Sequence, residues 1–229
     1  MKTSRHVKTA ISLCASGLLL LAAASAAHAG LLVAQHEQTG GSVTSLAAAD
    51  ALIASTTATT GVYNVINFSD FGFRGHFASD AQWLNNDGGG SGSELNNTFA
   101  AHVTGYVVIA TAGTYTFGTS NDDGLRLKID GTTLINDNTL HATADFFATT
   151  FLSAGLHAID VVFFENTGAA DMELYAQAGT HTAFNTGFQL LGSANGLQTT
   201  VPEPASLALV GLALAGLGLS QRRRAKTVA

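Results

Sequence analysis

The chain is predicted to be all-β, an antiparallel β-sandwich or barrel with one short N-terminal helix and an apolar helix at each end. Three observations predict it. From residue 100 onward, apolar residues recur with a period of two, the spacing that puts one face of a strand in a core. Turn signals punctuate these runs at short intervals: Ala112-Gly113, Asn121-Asp122-Asp123-Gly124, Asp130-Gly131, Ala154-Gly155 and Thr167-Gly168. Both prolines, Pro202 and Pro204, lie near the C-terminus, so glycine must supply most tight turns of the body. Many short strands with regular turns and little helix describe a sandwich or barrel.

Taken in chain order, residues 1–29 form a basic start (Lys2, Arg5, Lys8), an apolar run Ala10–Ala24 and the small-x-small triplet Ala27-His28-Ala29. That is the pattern of a secretory signal peptide, with Gly30 as the new N-terminus. Residues 30–60 are an Ala/Thr/Gly-rich lead-in. Within it Ser45–Ala54 can form a helix, capped by Ser45, with Leu46, Ala49 and Ile53 on one face. Residues 61–192 are the expected β domain. Its segment 86–97, rich in Asn, Gly and Ser, reads as a surface loop.

The strands follow. Tyr106–Ala110 is one. Tyr115 and Phe117 alternate with threonines and Gly118. Leu125, Leu127 and Ile129 alternate with Arg126, Lys128 and Asp130, which predicts a half-buried strand. Phe146–Leu152 is another. Ile159, Val161 and Phe163 share a face, as do Met172, Leu174 and Ala176. Residues 193–200 are read as a linker, and residues 201–229 as a terminal segment.

Charge is unevenly distributed. The body holds 15 of the 16 acids and only Arg74, Arg126 and Lys128 as bases. So acidic a body excludes sequence-independent nucleic-acid binding, which needs clustered Lys and Arg. The single Cys14 lies in the signal segment, leaving the body no disulfide, thiolate metal site or thiol nucleophile. Its six histidines, His36, His76, His102, His141, His157 and His181, have no zinc spacing and are expected to be surface or half-buried. No Gly-x-Ser-x-Gly, His-Glu-x-x-His or phosphate-cradle motif occurs, so no catalytic residue is assigned and an enzyme is not expected.

The C-terminal segment reads Val201-Pro202-Glu203-Pro204, the apolar run 205–219 and Arg222-Arg223-Arg224. This order resembles the PEP-CTERM sorting signal. The resemblance implies a Gram-negative bacterium and transient insertion of 205–219 in the inner membrane. It also implies cleavage by exosortase near Pro202–Pro204 after signal peptidase has acted, and a final place on the outer surface or in an exopolysaccharide matrix.

The body carries a second resemblance. Ala112-Gly113-Thr114-Tyr115-Thr116-Phe117, Ser120-Asn121-Asp122-Asp123-Gly124 and Leu125-Arg126-Leu127-Lys128-Ile129-Asp130-Gly131 come in order. Leu152-Ser153-Ala154-Gly155-Leu156-His157 and Phe164-Glu165-Asn166-Thr167-Gly168 follow. This block resembles the protective-antigen-type (PA-fourteen) domain, a lectin-like β-barrel module of adhesins, toxins and glycosidases. Two positions depart from the pattern. His157 replaces the usual aromatic after the Leu-x-Ala-Gly turn, and Leu174-Tyr175-Ala176 replaces the closing Leu-x-Trp.

The resemblance implies that Asp122 and Asp123 hold calcium, often across a cis peptide, with Asn166 as a further ligand and a sugar bound through the ion. The same four residues, Asn121 to Gly124, are also an ordinary tight-turn sequence. Two functions therefore stay open: a carbohydrate-binding, adhesin-like module, or a structural matrix protein with no specific sugar ligand. Sugar sites usually add an aromatic platform, for which Trp83, Tyr63 and Tyr175 are the candidates.

Overall fold

The alternation at residues 125–129 is what the chain uses to build its core: Leu125, Leu127 and Ile129 are buried while Arg126 and Lys128 are half-exposed. The computed structural model describes residues 28–70, 74–85 and 98–201. In chain order the elements are β1 (His28–Ala29), β2 (Leu31–Glu37), α1 (Leu46–Ser55), β3 (Thr59–Tyr63), β4 (Asn67–Ser69), β5 (Phe99–Ile109) and β6 (Gly113–Asp122). Then come β7 (Leu125–Ile129), β8 (Thr132–Asp137), β9 (Ala144–Leu152), β10 (Gly155–Glu165), β11 (Asp171–Ala178), β12 (Gln189–Leu190) and β13 (Thr199–Val201).

They form two antiparallel sheets. An eight-stranded sheet runs β1-β13-β5-β10-β7-β8, with β2 on the same edge of β5 as β13 and β3 beyond β2. A five-stranded sheet runs β12-β11-β6-β9, with β4 also on β11. The two inner faces close over one apolar core, and the result is a sandwich rather than a closed barrel. Phe99, Val103, Leu127, Val161 and Phe163 come from the first sheet and Phe68, Phe117, Met172 and Leu174 from the second. Trp83 fills the centre, stacked on Phe68 and Phe163 with ring centroids 4.8 and 5.1 Å away.

Both outer faces carry a satellite layer, which explains the unbroken apolar run Val161–Phe164. Val161 and Phe163 face the core, while Val162 and Phe164 lie under α1 with Ala100. Ser45 caps α1 by accepting from the Ala48 N–H at 3.2 Å, and Asn138 Oδ1 accepts from Leu46 N–H. The buried helix face is Leu46, Ala49 and Leu52, with Ile53 half-buried at its margin. On the other sheet Tyr175 lies flat over Gly118, where a Cβ would meet the ring at 2.2 Å. Phe184 and Phe188 pack edge-on against the same tyrosine.

Three expectations change. The lead-in 30–60 and the linker 193–200 belong to the packed body, because β2 and β13 both pair with β5. His36 and His157 are buried rather than exposed or half-buried. The expected loop 86–97, residues 1–27 of the signal peptide, the 205–219 span and Pro202, Glu203, Pro204, Arg222, Arg223 and Arg224 lie outside the described residues. Among the described residues no helix is long and apolar enough to cross a membrane.

His157 is buried because it ties two turns together. Its Nδ1 lies 2.6 Å from Asp130 Oδ2 and its Nε2 2.9 Å from the Ser153 carbonyl. A ring that donates at both nitrogens must be protonated, and the Asp130 hydrogen bond holds its pKa above the ordinary histidine value despite burial. The stabilisation is therefore full below about pH 6.5, the unfolded value. It is lost as pH rises through the higher folded value. Unfolding free energy measured against pH should fall across that window, and Asp130→Asn should flatten the slope. An equal slope in the variant would show that the pair does not contribute.

Candidate functional site

At one end of the sandwich the β6–β7 turn, the end of β10 and the loop after it meet. Asp122 closes β6, directly across from Asp171 on β11. The Asp122–Asp123 peptide is cis. Gly124 follows, its carbonyl accepting from the Phe164 N–H at 3.0 Å. A Cβ at Gly124 would stand 2.4 Å from the Phe164 ring, so only glycine lets the turn lie so close to β10. Glu165 is the last residue of β10.

The result is a group of three buried carboxylates, Asp122, Asp123 and Glu165, whose nearest oxygens all lie within 4.8 Å of one another. Asp123 is held from two sides: Oδ1 accepts from the His141 N–H at 2.9 Å and Oδ2 from the Asn166 N–H at 3.0 Å. Asn121 braces the turn from within, its Nδ2 donating to the Asp123 carbonyl at 2.7 Å and to Asp137 Oδ2 at 3.0 Å. Asp137 in turn meets His141 Nε2 at 2.6 Å. Thr98 Oγ1 donates to the Asn166 carbonyl.

Glu165 differs from Asp123, Asp137 and Asp171, each of which accepts a hydrogen bond. It is 1 % exposed, and neither oxygen has a well-formed hydrogen bond among the described residues. Glu173, also fully buried, shows what a compensated carboxylate looks like: it accepts from the His76 and Phe77 N–H groups at 2.9 and 2.7 Å. Burial, reinforced by the charges of Asp123, Asp122 and Asp70, pushes Glu165 up to about 9. Burial, then the charges of Asp171 and Asp123, pushes Asp122 up to about 7, with Arg74 and His141 opposing. Asp171, buried beside them, is raised to about 6. Asn166 Oδ1 is a second buried oxygen without a partner among the described residues.

The structure thus brings Asp122 and Asp123 together and places Asn166 against Asp123 through its backbone. It adds Glu165, which sequence reasoning missed. The available signal was its place at the head of the Glu165–Asp171 loop, beside the residue that was chosen. Of the three aromatic candidates, Trp83 and Tyr175 are core residues, and Tyr63 packs edge-on against Phe68. Leu140, which precedes His141 in the chain, is 47 % exposed.

A family model described as the PA14 domain matches residues 58–183, and one for the PEP-CTERM protein-sorting motif matches residues 200–224. No curated protein matches the chain. Among solved structures it is similar to the PA14 domain of the antifreeze protein MpAFP. That match has TM-score 0.57 and 18% identity, and covers 88% of this chain and 99% of that one. It is similar to a PA14 sugar-binding domain from an RTX adhesin, with TM-score 0.52 and 22% identity over 71% of this chain and 94% of that one. The A domain of a subtype-switched epithelial adhesin from Candida glabrata, solved with beta-lactose, matches with TM-score 0.51 and 10% identity, covering 78% and 91%. At these identities the likeness is one of fold.

Proposed function

The chain belongs to the PA14 domain family, and from that membership we propose that it is an exported carbohydrate-binding, adhesin-like module whose sugar site is organised by calcium. The observation that carries this reading is the meeting of the buried carboxylates Asp122, Asp123 and Glu165, the last without a hydrogen-bond partner among the described residues. Three buried carboxylates repel one another, and an isolated buried charge is costly unless it is paired or binds a metal.

The donor set fits the ion. Every candidate ligand is an oxygen, from Asp122, Asp123, Glu165 and the Asn166 side chain, and hard oxygen donors in this number suit calcium rather than zinc. Bound there, calcium offers its remaining coordination positions to vicinal hydroxyls of a sugar. The residues around it prepare the site. Asn121 and the His141 N–H orient Asp123, and Thr98 and Asp123 fix the Asn166 loop.

The sugar-binding adhesin domain and the lactose complex among the similar structures support the ligand class. Binding rather than catalysis is the reading, since the carboxylates are gathered as a cluster whose oxygen donors suit an ion.

The sorting motif over 200–224 supports an exported protein of a Gram-negative bacterium. In this reading signal peptidase frees Gly30. Residues 205–219 hold the chain transiently in the inner membrane, and exosortase cuts near Pro202–Pro204. The product joins the cell surface or an exopolysaccharide matrix. Intact mass of the exported protein tests this: the expected species runs from about Gly30 to Pro202–Pro204, and an extracellular species that keeps Arg222–Arg224 would defeat it.

The ligand claim is tested on a glycan array in calcium and in chelator. Binding in calcium, lost in chelator and lost in Glu165→Gln, is expected. Calcium-loaded protein that binds no glycan would leave the structural-matrix reading ahead.

A further inference from the structure

We propose that the domain carries a second saccharide site, independent of calcium, in a cleft at the opposite end of the five-stranded sheet. The register places it there. Asp122 pairs with Asp171 at the carboxylate end of β6 and β11, and Tyr115 pairs with Ala178 at the other. Asp122 lies seven positions along the extended strand from Tyr115, about 23 Å at roughly 3.3 Å per residue.

The cleft has a volume of about 370 Å³, and its walls include Tyr115, Ala176, Gln177, Gly187, Asn195 and Leu197. Among the described residues no charged side chain lines it, in a body with 15 acids. An ionic ligand would find no compensation there. A neutral one would find amides and a small apolar surface, the composition of a site for a small polar ligand.

Gln177 is the residue that asks for a ligand. Its Oε1 is buried and has no hydrogen-bond partner among the described residues, a costly state for a polar group. The Gln177 side chain is half-exposed in the cleft wall, so a turn of the amide offers this acceptor to a ligand hydroxyl. Gly187 lies against the same amide: a Cβ there would come within 2.3 Å of Gln177 Nε2, so glycine keeps this side of the amide clear.

The far wall is ordered by its own hydrogen bonds. Gln198 Nε2 donates to the Ser193 and Gly196 carbonyls at 2.9 and 3.0 Å, which presents the exposed Asn195 amide at the rim. Leu197 is packed half-buried against the core and forms an apolar floor with Ala176. Hydroxyls against amides and C–H groups against that floor are the needs of a neutral sugar unit, and the volume suits one or two such units. With the carboxylate end also engaged, one domain would hold two points of a polysaccharide.

The test uses the exported protein in chelator, where the carboxylate site is silent. Glucose, galactose, mannose and N-acetylglucosamine are titrated separately and followed by NMR. Saturable shifts for at least one sugar are expected, confined to residues 176–178 and 187–197. Gln177→Leu should weaken that binding at least tenfold while leaving the thermal response to calcium unchanged. Asn195→Ala, at an exposed position, should weaken it as well and guards against misfolding of the first variant. No saturable binding by any of the four sugars, or equal affinity in both variants, overturns the proposal. Chelator-resistant binding without any calcium response would instead overturn the calcium reading and leave this one standing.

Discussion

Calcium is expected to raise the melting temperature of the exported domain by about 5–10 °C at a hundredfold excess over its dissociation constant. Mass action at that excess is worth about 2.7 kcal/mol, and a domain of this size gains about 2–4 °C per kcal/mol. The physical source would be the Asp122, Asp123 and Glu165 cluster, whose carboxylates the ion lets ionise together.

Without calcium the sign of the pH dependence follows from Glu165. Its folded value is raised from 4.5 to about 9, so between those limits the folded chain holds a proton that the unfolded chain has released. Stability in chelator therefore falls as pH rises through that window. If calcium binds the ionised form as proposed, it should reverse the trend.

Glu165→Gln separates this from a plain turn. Among the described residues neither Glu165 oxygen has a well-formed hydrogen bond, so the amide should raise the melting temperature in chelator while abolishing most of the calcium response. Asp123→Ala is a poorer probe, because it also frees the His141 and Asn166 N–H groups and will cost stability of its own. Differential scanning calorimetry in calcium and in chelator reads both effects. Coincident wild-type curves would end the calcium reading.

Trp83→Ala is expected to cost about 3–5 kcal/mol, the range for deleting a buried large aromatic. The indole is 2 % exposed. It stacks on Phe68 at 18° and on Phe163 at 17°, and meets Phe99 edge-on with centroids 4.8 Å apart. It thus bridges both sheets, and its N–H donates to the Ala170 carbonyl at 3.3 Å. Ala170 N–H in turn donates to Asp70 Oδ2 at 2.8 Å, next to the carboxylate end.

Trp83→Phe should keep much of the stacking and lose the hydrogen bond, so its cost should be clearly smaller. Denaturant unfolding of the two variants gives the comparison. A loss below about 1 kcal/mol for the alanine variant would mean that the sheets close without the indole.

How far the chain alone led can be judged residue by residue. The alternation of Leu125, Leu127 and Ile129 with Arg126 and Lys128 was legible because strand period is a local property of the backbone. So were the turns and the Ser45 cap, which depend on neighbours within four residues. The Asp122-Asp123 pair was legible as a motif. Glu165 was not, and neither was the grip on Asp123: Asn166 lies 43 positions away in sequence and His141 lies 18. Which distant residues share a site depends on strand order and register, which the sum of many weak long-range contacts decides. The same reason explains why Trp83 and Tyr175, apt in sequence for a sugar platform, were claimed by the core, and why segments read as lead-in and linker became strands on β5. Local order was written in the sequence; the convergence of three carboxylates on one point belongs to the tertiary fold.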